Sequence, residues 1–137
     1  MGPRFKVLIV EDSAFFRQIF KEALQNQFPL MEIEEAVNSA EALQKIQTVL
    51  PELIFIDIEL PDEKGLELAK KIKAQYPDTI MITLTAYDLP EYREAALQYT
   101  HYFLSKGSAT RKEIFGLVES ILSTHVFPRF QSKISNS

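Results

Sequence analysis

Short apolar stretches alternate with amphipathic segments along most of the chain. Five of these stretches are strand-sized, and after each of them apolar residues recur at helical spacing. This alternation predicts a parallel sheet with helices on both of its faces. The predicted strands are VLIV (7–10), MEIEEAV (31–37), LIFI (53–56), IMITL (80–84) and YFL (102–104).

The first two helical segments carry starting signals. Ser13 stands before the first as a potential N-cap, and Asn38 with Glu41 three residues later forms a capping-box arrangement before the second. Pro51 predicts the end of the second helix. The residues expected to face the core are Phe16, Ile19, Phe20, Ala23 and Leu24 in the first helix and Ala42, Leu43, Ile46 and Leu50 in the second.

The other three helices are marked by proline and by caps. The third is predicted from about Lys64 to Tyr76, and the fourth follows Asp88 with Pro90 in its first turn. The fifth is capped either by Ser108 or by Thr110 with Glu113 three residues on. Its inward residues are predicted to be Ile114, Leu117, Val118, Ile121 and Leu122.

The strand compositions indicate an order for the sheet. MEIEEAV alternates apolar and polar residues, as an edge strand does, whereas VLIV and LIFI are apolar throughout and suit the centre. With right-handed crossovers, this predicts a flavodoxin-like (βα)5 three-layer sandwich, a parallel five-stranded sheet in the order 2-1-3-4-5. Ligands of such folds bind outside the carboxyl ends of the strands, at the switch point between the first and third strands.

The amino-acid composition excludes several kinds of site and classes of protein. The 137 residues are 46% hydrophobic and 25% charged, which fits one globular domain. This domain is predicted over residues 1–123, and residues 124–137 are predicted to be a tail or the stump of a linker. The absence of cysteine and the presence of only two histidines exclude disulfides, thiolate sites and a zinc cluster. No apolar run approaches a membrane span and no signal peptide is recognisable, so we expect a cytoplasmic protein. The net charge of -4 argues against binding of nucleic acid.

Polar residues follow four of the predicted strands at their carboxyl ends. Glu11 and Asp12 come after the first strand, Asp57 after the third, Thr85 after the fourth and Lys106 after the fifth. The three carboxylates would repel one another unless a cation joins them, and an all-oxygen set suits Mg²⁺. Lys106 and Thr85 could then contact a phosphoryl group, and Asp57 could act as a nucleophile that forms an aspartyl phosphate.

Each residue also has a simpler interpretation. Asp12 could be only a helix cap, Glu11 a solvated loop residue, and Pro61-Asp62 only a turn. His101 is more typical of a surface residue than of a ligand. Asp57 is hardest to explain in this way, because a carboxylate that ends a doubly buried strand needs a partner; we expect it to reach the surface where the sheet meets solvent.

Several segments together resemble the response-regulator receiver domain of two-component signalling. VLIVEDS resembles the first strand of that family with its acidic pair, LIFIDIELPDEKG the phosphoacceptor strand, LTAY the switch threonine and YFLSKG the lysine segment. The resemblance covers about residues 5 to 123. Family members usually have Lys-Pro with a cis peptide where this chain has Lys106-Gly107, which leaves the geometry of that loop open.

The resemblance implies a role for each site residue. Asp57 is the phosphorylated residue, and Glu11, Asp12 and the main-chain carbonyl of Glu59 bind Mg²⁺ together with it. Further roles implied are contact with the phosphoryl group for Thr85 and Lys106, switching for Thr85 and Phe103, and modulation of hydrolysis for Glu59 and Tyr87.

The same resemblance implies a function in signalling. The domain would take a phosphoryl group from a sensor histidine kinase or a phosphotransfer protein and would catalyse only its own phosphorylation and dephosphorylation. A downstream protein or a second copy of the chain would bind the face made by the fourth helix, fifth strand and fifth helix, and the domain itself would bind neither nucleic acid nor membrane.

Two other functions are weighed against this one. A Mg²⁺-dependent phosphatase that forms an aspartyl phosphate would carry a second aspartate two residues after the nucleophile, where this chain has Glu59. A flavin-binding module would carry a loop rich in Ser, Thr and Gly after the first strand, where this chain has EDSAFF.

Overall fold

The computed structural model describes residues 5–124, in which five parallel strands alternate with five helices. The hydrogen-bonded strands follow the order β2-β1-β3-β4-β5, which confirms the predicted flavodoxin-like fold. The strands are β1 Phe5–Val10, β2 Met31–Ala36, β3 Leu53–Ile56, β4 Ile80–Thr85 and β5 Tyr102–Ser105, and the helices are α1 Ala14–Gln27, α2 Ser39–Val49, α3 Gly65–Gln75, α4 Pro90–Ala96 and α5 Arg111–Thr124.

The core lies on both faces of the sheet because successive strand residues point to opposite sides. Ile9 and Phe55 pack on the side covered by α1 and α5, while Leu8 and Ile54 pack on the side covered by α2 and α3. The three inner strands β1, β3 and β4 are buried almost throughout. In β2 buried and half-buried residues alternate over the first four positions, as its sequence predicts for an edge strand.

Side-chain caps begin three of the helices. The Oγ of Ser13 accepts a hydrogen bond from the Phe16 N–H at 3.3 Å, and Asn38 caps α2 through the Glu41 N–H. At α5 the Oγ1 of Thr110 accepts from the Glu113 N–H at 3.1 Å, so Thr110 and not Ser108 is the cap. These hydrogen bonds satisfy N–H groups that have no partner within their own helix.

Two residues predicted to face the core are exposed. Ile19 is 43% exposed, because α1 buries Phe20 and Leu24 against the sheet and Ile19 lies at the margin of that stripe. Leu50 is 59% exposed, because it lies one residue beyond α2 with φ of 53° and its side chain leaves the helical face. Apolar spacing alone overestimates the width of the buried stripe at both positions.

The ends of the chain are only partly described. Thr124 is the last residue of α5, and the rest of the predicted tail, residues 125–137, lies outside the described residues, as do residues 1–4. Among residues 5–124, no helix combines the length and the apolar character needed to cross a membrane.

Candidate functional site

The acidic residues Glu11 and Asp57 continue two neighbouring strands by one residue each. The Glu11 N–H donates to the Ala36 carbonyl at 2.9 Å, and the Asp57 N–H donates to the Val10 carbonyl at 3.1 Å. Parallel pairing therefore places both side chains at the same edge of the sheet, as the sequence predicts. The expectation that Asp57 reaches solvent is wrong. Its exposure is only 6%, and a buried ion pair with Lys106 takes the place of water.

Lys106 joins the two carboxylates. Its Nζ donates to Asp57 Oδ2 at 2.9 Å and forms an ion pair with the Glu11 carboxylate. The Lys106 side chain is 16% exposed, and its Nζ also lies 4.4 Å from the centre of the Phe16 ring. The main-chain N–H of Lys106 donates to the Thr85 carbonyl at 2.8 Å, so the end of β4 fixes the residue that carries the ammonium.

The ionisation of these groups reflects their burial and their pairing. Burial raises the pKa of the Glu11 carboxyl and outweighs the hydrogen bonds from Lys106 and the Ser13 N–H, which lower it. Burial alone would lower the pKa of the Lys106 ammonium, but its hydrogen bonds to Glu11 and Asp57 prevail and raise it. Lys106 therefore remains charged and stabilises two carboxylates that would otherwise repel each other.

Glu11, Asp12 and Asp57 could hold a metal ion. One carboxylate oxygen from each residue lies within 4.8 Å of those of the other two. Asp12 is exposed and does not cap α1, since Ser13 does so. An all-oxygen set with one side open to water fits Mg²⁺, which keeps several water ligands.

The main chain after Asp57 lies against its carboxylate. The Glu59 N–H donates to Asp57 Oδ1 at 3.1 Å, so both oxygens of Asp57 have a partner. Thr85 is fully buried at the end of β4, and its Oγ1 accepts from the Tyr87 N–H at 3.3 Å. The carboxylates of Glu11 and Asp57 are thus in direct contact with Lys106, while Thr85 is connected to Lys106 through the main chain.

The predicted switch residue Phe103 faces inward in this structure. Its side chain packs against Ile58 and Ala96 and is 9% exposed. The guanidinium of Arg93 in α4 lies over the ring, 4.8 Å from its centre. Tyr87, by contrast, is 46% exposed.

Two further points concern residues near β5: the geometry of Lys106-Gly107, which the sequence leaves open, and the exposure of His101. None of the described peptide bonds is cis, so Lys106-Gly107 is trans. His101 is exposed, as predicted, and its Nδ1 accepts a hydrogen bond from the Met81 N–H at 3.1 Å.

The β3–α3 loop contains a residue whose role the sequence does not reveal. Asp62, interpreted above as part of a simple turn, accepts hydrogen bonds from the Ser39 and Ala40 N–H groups at 2.9 and 3.0 Å. These hydrogen bonds lower the pKa of the Asp62 carboxyl, that from Ser39 most strongly. The loop that follows Asp57 is thereby attached to the first turn of α2, and no local pattern could predict a contact between residues so far apart in sequence.

Residues 7–118 match the response regulator receiver domain family. Among curated proteins, the chain is 33% identical over 100 residues to a protein-glutamate methylesterase/protein-glutamine glutaminase from Pyrococcus horikoshii, an alignment that covers 72% of this chain and 27% of that protein. The chain thus spans about a quarter of the length of such relatives.

Solved structures agree with this match. A two-component response regulator from Clostridium difficile has a TM-score of 0.82 at 26% identity, covering 88% of this chain and 98% of that one. The response regulator protein TrrA from Thermotoga maritima, solved in complex with Mg²⁺-BeF, has a TM-score of 0.77 at 32% identity, covering 85% and 98% of the two chains. The sequence match, the sheet order and the acidic site with its lysine lead to one conclusion: this chain belongs to the response regulator receiver domain family.

Proposed function

We propose that this receiver domain accepts a phosphoryl group on Asp57 from a phosphohistidine of a sensor histidine kinase or a phosphotransfer protein. The observation that carries the proposal is the pairing of a nearly buried Asp57 with Lys106 beside two further carboxylates. A lysine that serves only to neutralise a buried aspartate would not need Glu11 and Asp12 at the same place. The cluster is what transfer of an anionic group to a carboxylate requires.

The proposed reaction forms one bond and breaks another. A carboxylate oxygen of Asp57 attacks phosphorus, the P–N bond of the phosphohistidine breaks, and the imidazole leaves with the electron pair. Lys106 and the Thr85 hydroxyl contact the phosphoryl oxygens as negative charge accumulates on them. Glu11, Asp12, Asp57 and the main-chain carbonyl of Glu59 would hold Mg²⁺, which when bound supplies the positive charge that neutralises the incoming group.

The conformational change on phosphorylation is proposed to involve the side chains of Thr85 and Phe103. When the Thr85 hydroxyl turns toward the phosphoryl group, Phe103 can leave its contacts with Ile58 and move into the space released. The surface changed in this way is the α4-β5-α5 face, which we propose as the binding site of a downstream protein or a second copy of the chain. Arg93, which lies over the Phe103 ring, belongs to this face.

Duration of the signal is proposed to depend on Glu59 and Tyr87, which border the approach of water to phosphorus. In this proposal the domain turns over no separate substrate and acts in the cytoplasm. The methylesterase activity in the name of its longer relatives is not proposed for this domain.

The proposal is tested by incubating the protein with acetyl phosphate and Mg²⁺ and then mapping the modified residue in peptides. We expect one base-labile phosphoryl group on the peptide that contains Asp57, and no modification when EDTA replaces Mg²⁺. A phosphoryl group on any other residue, or equal labelling in EDTA, would overturn the proposal.

A further inference from the structure

We propose that Arg17 is a positioning residue for the metal site, because it fixes the peptide between Glu11 and Asp12 while Glu35 holds it in place. The inference deepens the proposed function and rests on the Mg²⁺ site described there. Neither Arg17 nor Glu35 is a candidate metal ligand, so their role is exerted through the main chain.

Arg17 connects the acidic loop to the edge strand. Its Nη1 donates to the main-chain carbonyl of Glu11 at 2.7 Å, and its Nε donates to Glu35 Oε1 at 2.8 Å. The Arg17 side chain is only 14% exposed, so water competes weakly for these hydrogen bonds. The planar guanidinium donates in two directions at once, which a single ammonium does less well.

Glu35 is well placed to anchor this arginine. It is paired with Ile9 in the β1–β2 ladder, next to Ala36, whose carbonyl accepts the N–H of Glu11. Burial would raise the pKa of the Glu35 carboxyl, but hydrogen bonds from Lys21 and Arg17 lower it, so Glu35 stays ionised. The edge strand therefore binds Glu11 twice, directly at its N–H and through Arg17 at its carbonyl.

Asp12 is the residue that needs this support. The side chain of Glu11 is held by Lys106 and by the Ser13 N–H, which donates to Glu11 Oε2 at 3.0 Å. The Asp12 side chain is exposed and forms no hydrogen bond or ion pair with any residue of the described range 5–124. Its direction is thus set by its main chain, and the plane of the preceding peptide is what Arg17 fixes.

The test compares the dissociation constant of Mg²⁺ for the wild type with those for Arg17→Met and Lys21→Met, measured from backbone amide shifts in NMR titrations. Lys21 is the matched control, since it binds Glu35 at 3.0 Å without reaching Glu11 and its replacement removes the same charge from the same helix. We expect Arg17→Met to weaken Mg²⁺ binding by about ten-fold, the lower end of typical effects for residues that orient metal ligands. Lys21→Met should stay within about two-fold of the wild type on the same scale.

The direction of the change separates positioning from charge. Removing a positive charge near the site would by itself tighten the binding of a cation, so weaker binding in Arg17→Met cannot be electrostatic. Arg17→Lys is a second variant for the case that Arg17→Met does not fold, because it keeps the positive charge. It should also weaken Mg²⁺ binding, since a single ammonium donates less well in two directions than the guanidinium does.

Equal dissociation constants for the wild type and the Arg17 variants, or tighter binding in Arg17→Met, would overturn the positioning role. A loss of thermal stability with an unchanged dissociation constant would do the same, because it would show that Arg17 only stabilises the fold. A wild-type protein that binds no Mg²⁺ would contradict the proposed metal site itself, which distinguishes failure of that proposal from failure of this inference.

Discussion

At the scale of single residues, Gly65 determines how closely α3 approaches the main chain that follows β3. Its N–H donates to the Ile58 carbonyl at 2.7 Å. A Cβ at this position would overlap the Asp57 carbonyl oxygen and lie 2.9 Å from the Ile58 Cα. These are main-chain atoms of the strand end, so they cannot move aside without displacing Asp57.

Gly65→Ala should therefore destabilise the protein by about 2 kcal/mol or more, as overpacking against main-chain atoms does. Gly116 is the matched control because nothing lies within 4 Å of a Cβ built there. Gly116→Ala should stabilise α5 by about 0.5 to 1 kcal/mol, the difference in helix propensity. Urea denaturation of both variants measures the free energies of unfolding, and equal values for the two would contradict the close approach at Gly65.

Tyr87 is a residue whose volume should matter for hydrolysis. The residue is 46% exposed, and its ring lies edge-on to the Tyr92 ring with 6.0 Å between the ring centres. We expect Tyr87→Ala to speed loss of the phosphoryl group roughly two- to ten-fold, equivalent to about 0.4 to 1.4 kcal/mol in activation free energy, because an obstacle to water is removed. The measurement is the decay of phosphorylated protein after the donor is removed, at fixed Mg²⁺ and pH. Tyr92→Ala, which leaves Tyr87 in place, should decay at nearly the wild-type rate, and unchanged or slower decay in Tyr87→Ala would show that the ring does not shield phosphorus.

At the scale of elements, the sequence predicts strands better than it predicts the limits of helix faces. The predicted strand LIFI has the same first and last residues as the observed β3, because a strand buried on both faces is apolar at every position. Helical spacing predicts that Ile19 and Leu50 face the core, but both are exposed, because this spacing does not show where the contact with the sheet ends. Caps were predicted from short patterns and confirmed at Ser13 and Asn38, since a capping hydrogen bond joins residues close in sequence.

The contact between α1 and β2 should depend on pH. The pKa of Glu35 is lowered in the folded protein below its ordinary value of 4.5, so the stability that it contributes is present above that value and lost as the pH falls through the folded-state pKa. At neutral pH the wild type should be more stable than Glu35→Gln by up to about 1 kcal/mol, the range of partly exposed ion pairs. Thermal unfolding of both proteins from pH 7 to pH 3 provides the measurement. A difference that stays constant over this range would contradict ion pairing of Glu35 with Arg17 and Lys21.

At the scale of the whole molecule, the arrangement of the strands explains why short sequence patterns predict most of the site. Carboxyl ends of parallel strands meet at one edge, so the residues that follow them converge without any knowledge of side-chain packing. Contacts made by side chains within helices and loops are not predictable in this way. Arg17 with Glu35 and Asp62 with Ser39 join residues that no short pattern relates, and they become visible only when the chain is folded.

The central claim is that Asp57 is the residue phosphorylated, and the most direct measurement is the intact mass of Asp57→Asn after incubation with acetyl phosphate and Mg²⁺. Asparagine has the same shape but is not a nucleophile, so we expect the variant to fold and to gain no phosphoryl group. Asp78→Asn is the control, since Asp78 is exposed in the turn before β4, at the opposite edge of the sheet. It should gain one phosphoryl group, as is expected of the wild type. Phosphorylation of Asp57→Asn at the wild-type rate would contradict the claim.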